Sequence, residues 1–181
     1  MDWDDEYLND TLKNLDNDQI LSIMAIGEES ISRLKLQKIV FLSSRILKID
    51  INDNFEAYDY GMYNESLMEE VMDMPEIISK DKKLSLTDFG LSVFKKLMEI
   101  LDQKIIDLFQ SMRRLNETDL LKIAYHLYPE LTVNSKIKGR VIYDTSQLNF
   151  SSTNSSGINR IKKAKYDIKR NGDSIEIIKV E

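Results

Sequence analysis

The chain has 181 residues, 42% of them apolar, and a formal net charge of −6. That is long enough for one sizeable core and apolar enough to exclude general disorder. With no cysteine, a disulfide, a thiolate nucleophile and a cysteine-held zinc are excluded, and no stretch approaches the ~18 uninterrupted apolar residues of a membrane-spanning helix.

The acidic start "MDWDDEYLND" has neither the basic segment nor the apolar run of a secretory signal, so a cytoplasmic chain is expected. Residues 18–28, "DQILSIMAIGE", read as a short helix capped by Asp18, with Ile20, Leu21, Ile23 and Met24 on a broad apolar face. Ser30 or Ser32 can cap the next helix, "SRLKLQKIVFLSSRILK", in which Leu36, Ile39, Val40 and Leu47 recur at helical spacing. Lys35, Lys38 and Arg45 are expected on its opposite side. "FEAYDY" alternates aromatics as a strand does, and Gly61 punctuates its end. Asn64 is placed to cap "ESLMEEVMDM", with Leu67, Met68, Val71 and Met72 inward, the acids outward and Pro75 as its stop. "EIISKDKKLSLTD" predicts a hairpin over about 76–86 with a basic tip of Lys80, Lys82 and Lys83.

Thr87 or Asp88 caps the next helix. Residues 88–115 contain no proline and, after Gly90, no glycine, which predicts one long helix. Along it Leu91, Phe94, Met98, Leu101, Ile105, Leu108, Met112 and Leu115 alternate by three and four, like a coiled-coil seam, so a homodimer through this helix is expected. "NETDLLKIAYHLYPEL" gives another helix, from Asn116 or Thr118 to just before Pro129, and Ser135 can start a further turn. Residues 149–159, "NFSSTNSSGIN", read as a polar linker. At the end, Asn171-Gly172 between alternating segments predicts a hairpin placing Ile168 opposite Ile175 and Tyr166 opposite Ile177. A helix over 159–169 is the competing reading. The chain thus divides into a helix-rich unit, 1–135, and a basic C-terminal segment, 136–181.

The fold class expected is mainly α, of the α+β kind. The order helix, helix, strand, helix, hairpin, helix is close to a winged helix-turn-helix, here with long C-terminal helices and a terminal β-hairpin. Charge is unevenly spread: residues 1–30 hold nine acids against Lys13, net −8, whereas 136–170 hold nine bases against Asp144 and Asp167, net +7.

Chemistry-bearing patterns are sparse. His126 is the only histidine, beside Tyr125 and Tyr128, and reads as a partly buried side chain rather than a metal ligand or general base. Neither a dinucleotide-binding nor a phosphate-loop glycine pattern occurs. Glu69 and Glu70 are adjacent, so they point to different sides of a helix and do not form an acid–base pair. A non-enzymatic protein with no cofactor and no metal is expected.

At "RLKLQKIVFLSS" followed by "YDYGMYNESL", the chain resembles the Panacea domain of SocA-like antitoxins and related uncharacterised archaeal winged-helix proteins. The matching motifs are Lys35-Leu36-Gln37-Lys38, Tyr60-Gly61-Met62, where relatives carry Tyr-Gly-Pro, and Leu86-Thr87-Asp88-Phe89-Gly90, within residues 18–138. The resemblance implies protein binding, in toxin neutralisation or proteolytic delivery, with DNA binding attributed to some relatives.

Two functional expectations result. In the first, the chain is an antitoxin-like or adaptor-like module whose protein partner, a toxin among the candidates, meets Tyr58, Tyr60, Tyr63, Glu65 and Glu69. In the second, it is a DNA-binding regulator using Lys80, Lys82 and Lys83 together with Arg160, Lys162, Lys163 and Lys165. Four acids on the helix that would enter the groove, Glu65, Glu69, Glu70 and Asp73, repel phosphate and favour the first.

Overall fold

Helix α1 (Asp5–Asn14) starts where the Asp4 carboxylate accepts a hydrogen bond from the Glu6 N–H, answering one of the unpaired donors of a helix start. No element was expected here, yet Leu8 is buried, and Trp3 lies 5.9 Å from Tyr7 and 4.8 Å from Phe89 between ring centroids. Lys96 pairs with Asp5 at 3.2 Å on the same contact, so the acidic start is a docked helix. The computed structural model describes residues 3–51, 55–59, 61–136, 165–171 and 174–180.

Helix α2 (Asn17–Ile26) is capped by Asp16, two residues before the expected Asp18. The reason is a reciprocal box: Asp16 accepts from the Gln19 N–H while the Gln19 side chain accepts from the Asp16 N–H. Asp18 therefore falls in the first turn and is buried. Strand β1 (Ile31–Ser32) leads into α3 (Arg33–Leu47), for which Ser32, one of the two expected caps, accepts from Lys35 N–H. Here the expected charged side is overturned. Lys38 is only 2% exposed, and the nine consecutive residues from Leu36 to Ser44 are buried, because helices pack on α3 from more than one direction.

The expected single strand "FEAYDY" is a pair, β2 (Glu56–Tyr58) with β3 (Gly61–Tyr63), antiparallel, with Ala57 opposite Met62. Gly61 opens β3 at φ 110°, a conformation closed to side chains, against the Leu121 side chain. Helix α4 (Glu65–Asp73) comes next, capped by Asn64. Strands β4 (Ile77–Lys80) and β5 (Lys83–Leu86) then form the expected hairpin, with Lys80 opposite Lys83, and β1 pairs on the far side of β5 to give the order β1-β5-β4.

The two residues joining β4 to β5, Asp81 (φ 51°) and Lys82 (φ 63°), are both left-handed, as the twist of a two-residue hairpin demands. Neither is glycine, so both carry the Cβ penalty of that region. Lys82→Gly is expected to raise the unfolding free energy by about 0.5–1 kcal/mol, read by urea denaturation.

The long helix expected over 88–115 is two helices, α5 (Asp88–Ile100) and α6 (Gln103–Arg114). Leu101 is extended, with ψ 149°, and Asp102 accepts from the Lys104 N–H to begin α6 afresh. Of the expected dimer seam, Phe94 is buried, and Leu91, Met98, Leu101, Ile105 and Leu108 are partly buried against the same core. The apolar stripe thus folds back onto the molecule at the break. Helix α7 (Glu117–Leu127), capped by Asn116 accepting from Asp119 N–H, packs on α3. A short 3-10 turn (Pro129–Thr132) then brings Asn134 Nδ2 to the Ala57 carbonyl and Lys136 to Asp59, at 3.0 and 2.5 Å.

The expected linker, 149–159, lies outside the described residues. Beyond it, β6 (Lys165–Asn171) pairs antiparallel with β7 (Ser174–Val180). Asn171 is itself paired, with Ser174, so the register differs from the one expected: Ile168 faces Ile177, and Tyr166 faces Lys179. Among the described residues the protein is mainly helical, with small antiparallel sheets.

Candidate functional site

Helix α4 is held by its first residue. The buried Gln37 side chain on α3 bridges the Asn64 backbone, its Nε2 donating to the carbonyl at 2.8 Å and its Oε1 accepting from the N–H at 3.0 Å. Asn64, 1% exposed, turns its own side chain to the Leu67 N–H. Leu67, Met68 and Val71 face the core, as the periodicity requires. Met72 does not: it is 41% exposed, and its sulfur accepts from Arg33 Nη2 at 3.7 Å.

The outer face of α4 therefore presents Glu65, Ser66, Glu69, Met72 and Asp73, without a single Lys or Arg on the helix. On the neighbouring strand pair, Tyr58 is 57% exposed and Tyr63 half-buried, with ring centroids 5.6 Å apart. Tyr60 lies outside the described residues. An acidic helix face and a partly exposed aromatic pair can form charge-assisted hydrogen bonds and flat apolar contact with a protein, chemistry that anchors interfaces.

The motif residues singled out in the sequence do structural work. Gln37 clamps α4, Leu36 is core, and Gly61 makes room for Leu121. Thr87 caps α5 by accepting from Gly90 N–H, while its own hydroxyl donates to the Glu76 carbonyl. Lys35 Nζ donates to the Arg113 carbonyl at 2.6 Å, closing the end of α6, and Ser32 hydrogen-bonds Glu117 at the start of α7. Burial lowers the Lys38 ammonium pKa from its ordinary value, opposed by the Glu117 charge. The Arg45 guanidinium lies 5.5 Å from the Phe41 ring centroid. None of these three α3 bases forms a free basic stripe.

The hairpin-tip lysines Lys80, Lys82 and Lys83 are exposed. Lys165 opens β6, and Arg160, Lys162 and Lys163 lie outside the described residues. His126 is exposed in the last turn of α7, contrary to the partly buried position expected.

On the inner flank of α4, Glu70 has its pKa raised from 4.5 to about 7. Burial is the largest cause, followed by the hydrogen bond and charge of Asp16 and then the charge of Asp18; the Gln19 side chain opposes them. Because the folded state holds this proton more tightly than the unfolded chain, ionising Glu70 weakens the fold. The loss develops as pH rises from about 4.5 to about 7 and is complete above it. Solvent screening of this half-buried group reduces the effect to about 1–2 kcal/mol. Glu70→Gln is therefore expected to match the parent in urea denaturation at pH 5 and to exceed it by that amount at pH 8.

This surface was legible only in part: the α4 acids follow from helical periodicity, whereas the exposure of Met72 depends on Arg33, far away in sequence. Comparison of the chain with family models, curated proteins and solved structures finds no match.

Proposed function

We propose that the protein is a non-enzymatic interaction module, antitoxin-like or adaptor-like, that binds a protein partner through the outer face of α4 and the adjoining Tyr58 and Tyr63. The observation that carries this reading is the composition of that face: Glu65, Glu69 and Asp73 around the exposed Met72, with no basic residue on the helix. The resemblance of the motifs at Lys35–Lys38, Tyr60–Met62 and Leu86–Gly90 to those of SocA-like antitoxins points the same way.

A winged-helix DNA regulator is the second reading. It is favoured by the order α2-β1-α3-β2-β3-α4-β4-β5, which keeps the winged-helix sequence apart from the inserted β2-β3 pair, by the sheet order β1-β5-β4 and by the exposed tip of Lys80, Lys82 and Lys83. In that arrangement α4 is the helix that would approach the major groove, where its acids oppose dense phosphate charge. The basic C-terminal residues would then have to supply the attraction.

One pair of variants separates the readings. Glu65→Lys with Glu69→Lys is expected to abolish retention of a specific protein from native lysate, while Lys95→Glu on α5 retains it. Neither parent nor variant should give saturable binding to a 30-base-pair duplex at about 150 mM salt, a concentration that already weakens purely electrostatic contacts. Saturable duplex binding by the parent, strengthened by the charge reversal, would establish the regulator instead.

A further inference from the structure

A groove of about 510 Å³ opens between α1, the start of α2, the inner flank of α4 and the turn into β4. That size falls within the usual range for sites that enclose a side chain or a small ligand. Four carboxylates line it, those of Asp10, Glu70, Asp73 and Glu76, and no lysine or arginine does. Tyr7 and Phe89 form an aromatic wall, their ring centroids 5.6 Å apart. Glu76 is 3% exposed, and among the described residues no hydrogen bond or ion pair reaches its carboxylate; only its backbone carbonyl is engaged, by Thr87. The small exposed remainder of Glu76 includes its carboxylate, so a cation entering the groove can reach it.

We propose that this groove binds an arginine side chain presented by a basic peptide. The carboxylates are too dispersed to make a metal-holding group among the described residues. A guanidinium is broad and planar, offers five donors to several carboxylates and stacks on aromatic faces, which suits the dispersed acids and the Tyr7–Phe89 wall. Apart from Asp73, which borders both, the site is separate from the outer face of α4, and it does not depend on what that face binds.

The acids around the groove also set its pH behaviour. Glu70 is faced by Asp16 and Asp18 with Gln19 from α2 and its cap, and it shares the groove lining with Asp10 from α1, Asp73 on its own helix and Glu76 before β4. An arriving guanidinium offsets that repulsion, so Glu70 releases its proton on binding and affinity rises between pH 6 and pH 8.

The probe is an acetylated, amidated hexaarginine peptide titrated into the full chain by calorimetry at low salt, with hexalysine beside it. Hexaarginine is expected to bind more tightly than hexalysine, and more tightly at pH 8 than at pH 6. Asp10→Asn with Glu76→Gln is expected to weaken it about tenfold, the scale of losing charge-assisted hydrogen bonds. Glu99→Gln with Asp107→Asn, exposed acids on α5 and α6 that line neither the groove nor the α4 face, removes the same net charge and should change affinity less than about twofold by screened attraction alone. Asp10→Asn alone, on exposed α1, keeps the comparison intact if Glu76→Gln disturbs folding, and should weaken binding on its own. Equal weakening by the two double variants, parity of the two peptides, or an affinity no higher at pH 8 than at pH 6 would overturn the proposal.

Discussion

Gly90→Ala is expected to destabilise the protein by about 3 kcal/mol or more, the upper end of overpacking costs. Gly90 sits in the first turn of α5, where an added Cβ would fall well inside contact with the Glu76 carbonyl oxygen, 2.9 Å from its carbon and 3.1 Å from its Cα. The obstruction is backbone, and it cannot swing aside. That carbonyl accepts from the Thr87 N–H at 2.9 Å and from the Thr87 hydroxyl at 3.2 Å, the bonds that join the turn before β4 to the start of α5. For a chain of this size each kcal/mol moves the midpoint by roughly 2–4 °C, so thermal unfolding should fall by about 10 °C. Ser92→Ala, two residues along the same helix, should stay within about 0.5 kcal/mol. A Gly90→Ala variant as stable as the parent would show that the two segments can separate freely.

Gln37→Leu should cost about 2–4 kcal/mol although it preserves volume and adds hydrophobicity. The leucine leaves the Asn64 N–H and carbonyl without the Gln37 amide, in a setting where Gln37 is fully buried and Asn64 is 1% exposed. The Asn64 carbonyl still accepts from the Met68 N–H at 3.4 Å, and each buried hydrogen bond lost with the amide costs about 1–3 kcal/mol. The loss should be local before it is global. Amide hydrogen exchange is expected to accelerate first over α4, whose cap is Asn64, while α5 keeps its protection. Uniform acceleration across the chain would mean that the clamp supports the whole core rather than one helix.

The elements read most easily in the sequence were those with a local start signal. Ser32, Asn64, Thr87 and Asn116 each accept the capping hydrogen bond their positions suggested. Helix α1 was missed because its charges masked Leu8, and because Trp3 and Tyr7 acquire meaning only when Phe89 of α5 packs on them. The break between α5 and α6 was missed for a different reason. The apolar three-four spacing runs on in phase through Leu101, and the one signal against a continuous helix, Asp102 as a cap, is a single residue. Lys38 shows that a charge in the sequence does not guarantee exposure: its ammonium reaches the Leu34 carbonyl at 3.4 Å within a buried helix face. The α4 surface followed from periodicity, but the groove beside it gathers residues from three separate stretches that no spacing rule connects.

The Gln37 clamp also bears on how fast and how favourably α4 can be met by another molecule. With Asn64 fixed at one end, Met74 buried at the other and Leu67, Met68 and Val71 seated between, the helix cannot roll or fray independently of α3. Its acidic side is ordered before any encounter, so little backbone freedom remains to be lost on docking. Association at this face should then proceed by rigid-body collision, with a rate set by diffusion and long-range charge, and without a slow ordering phase.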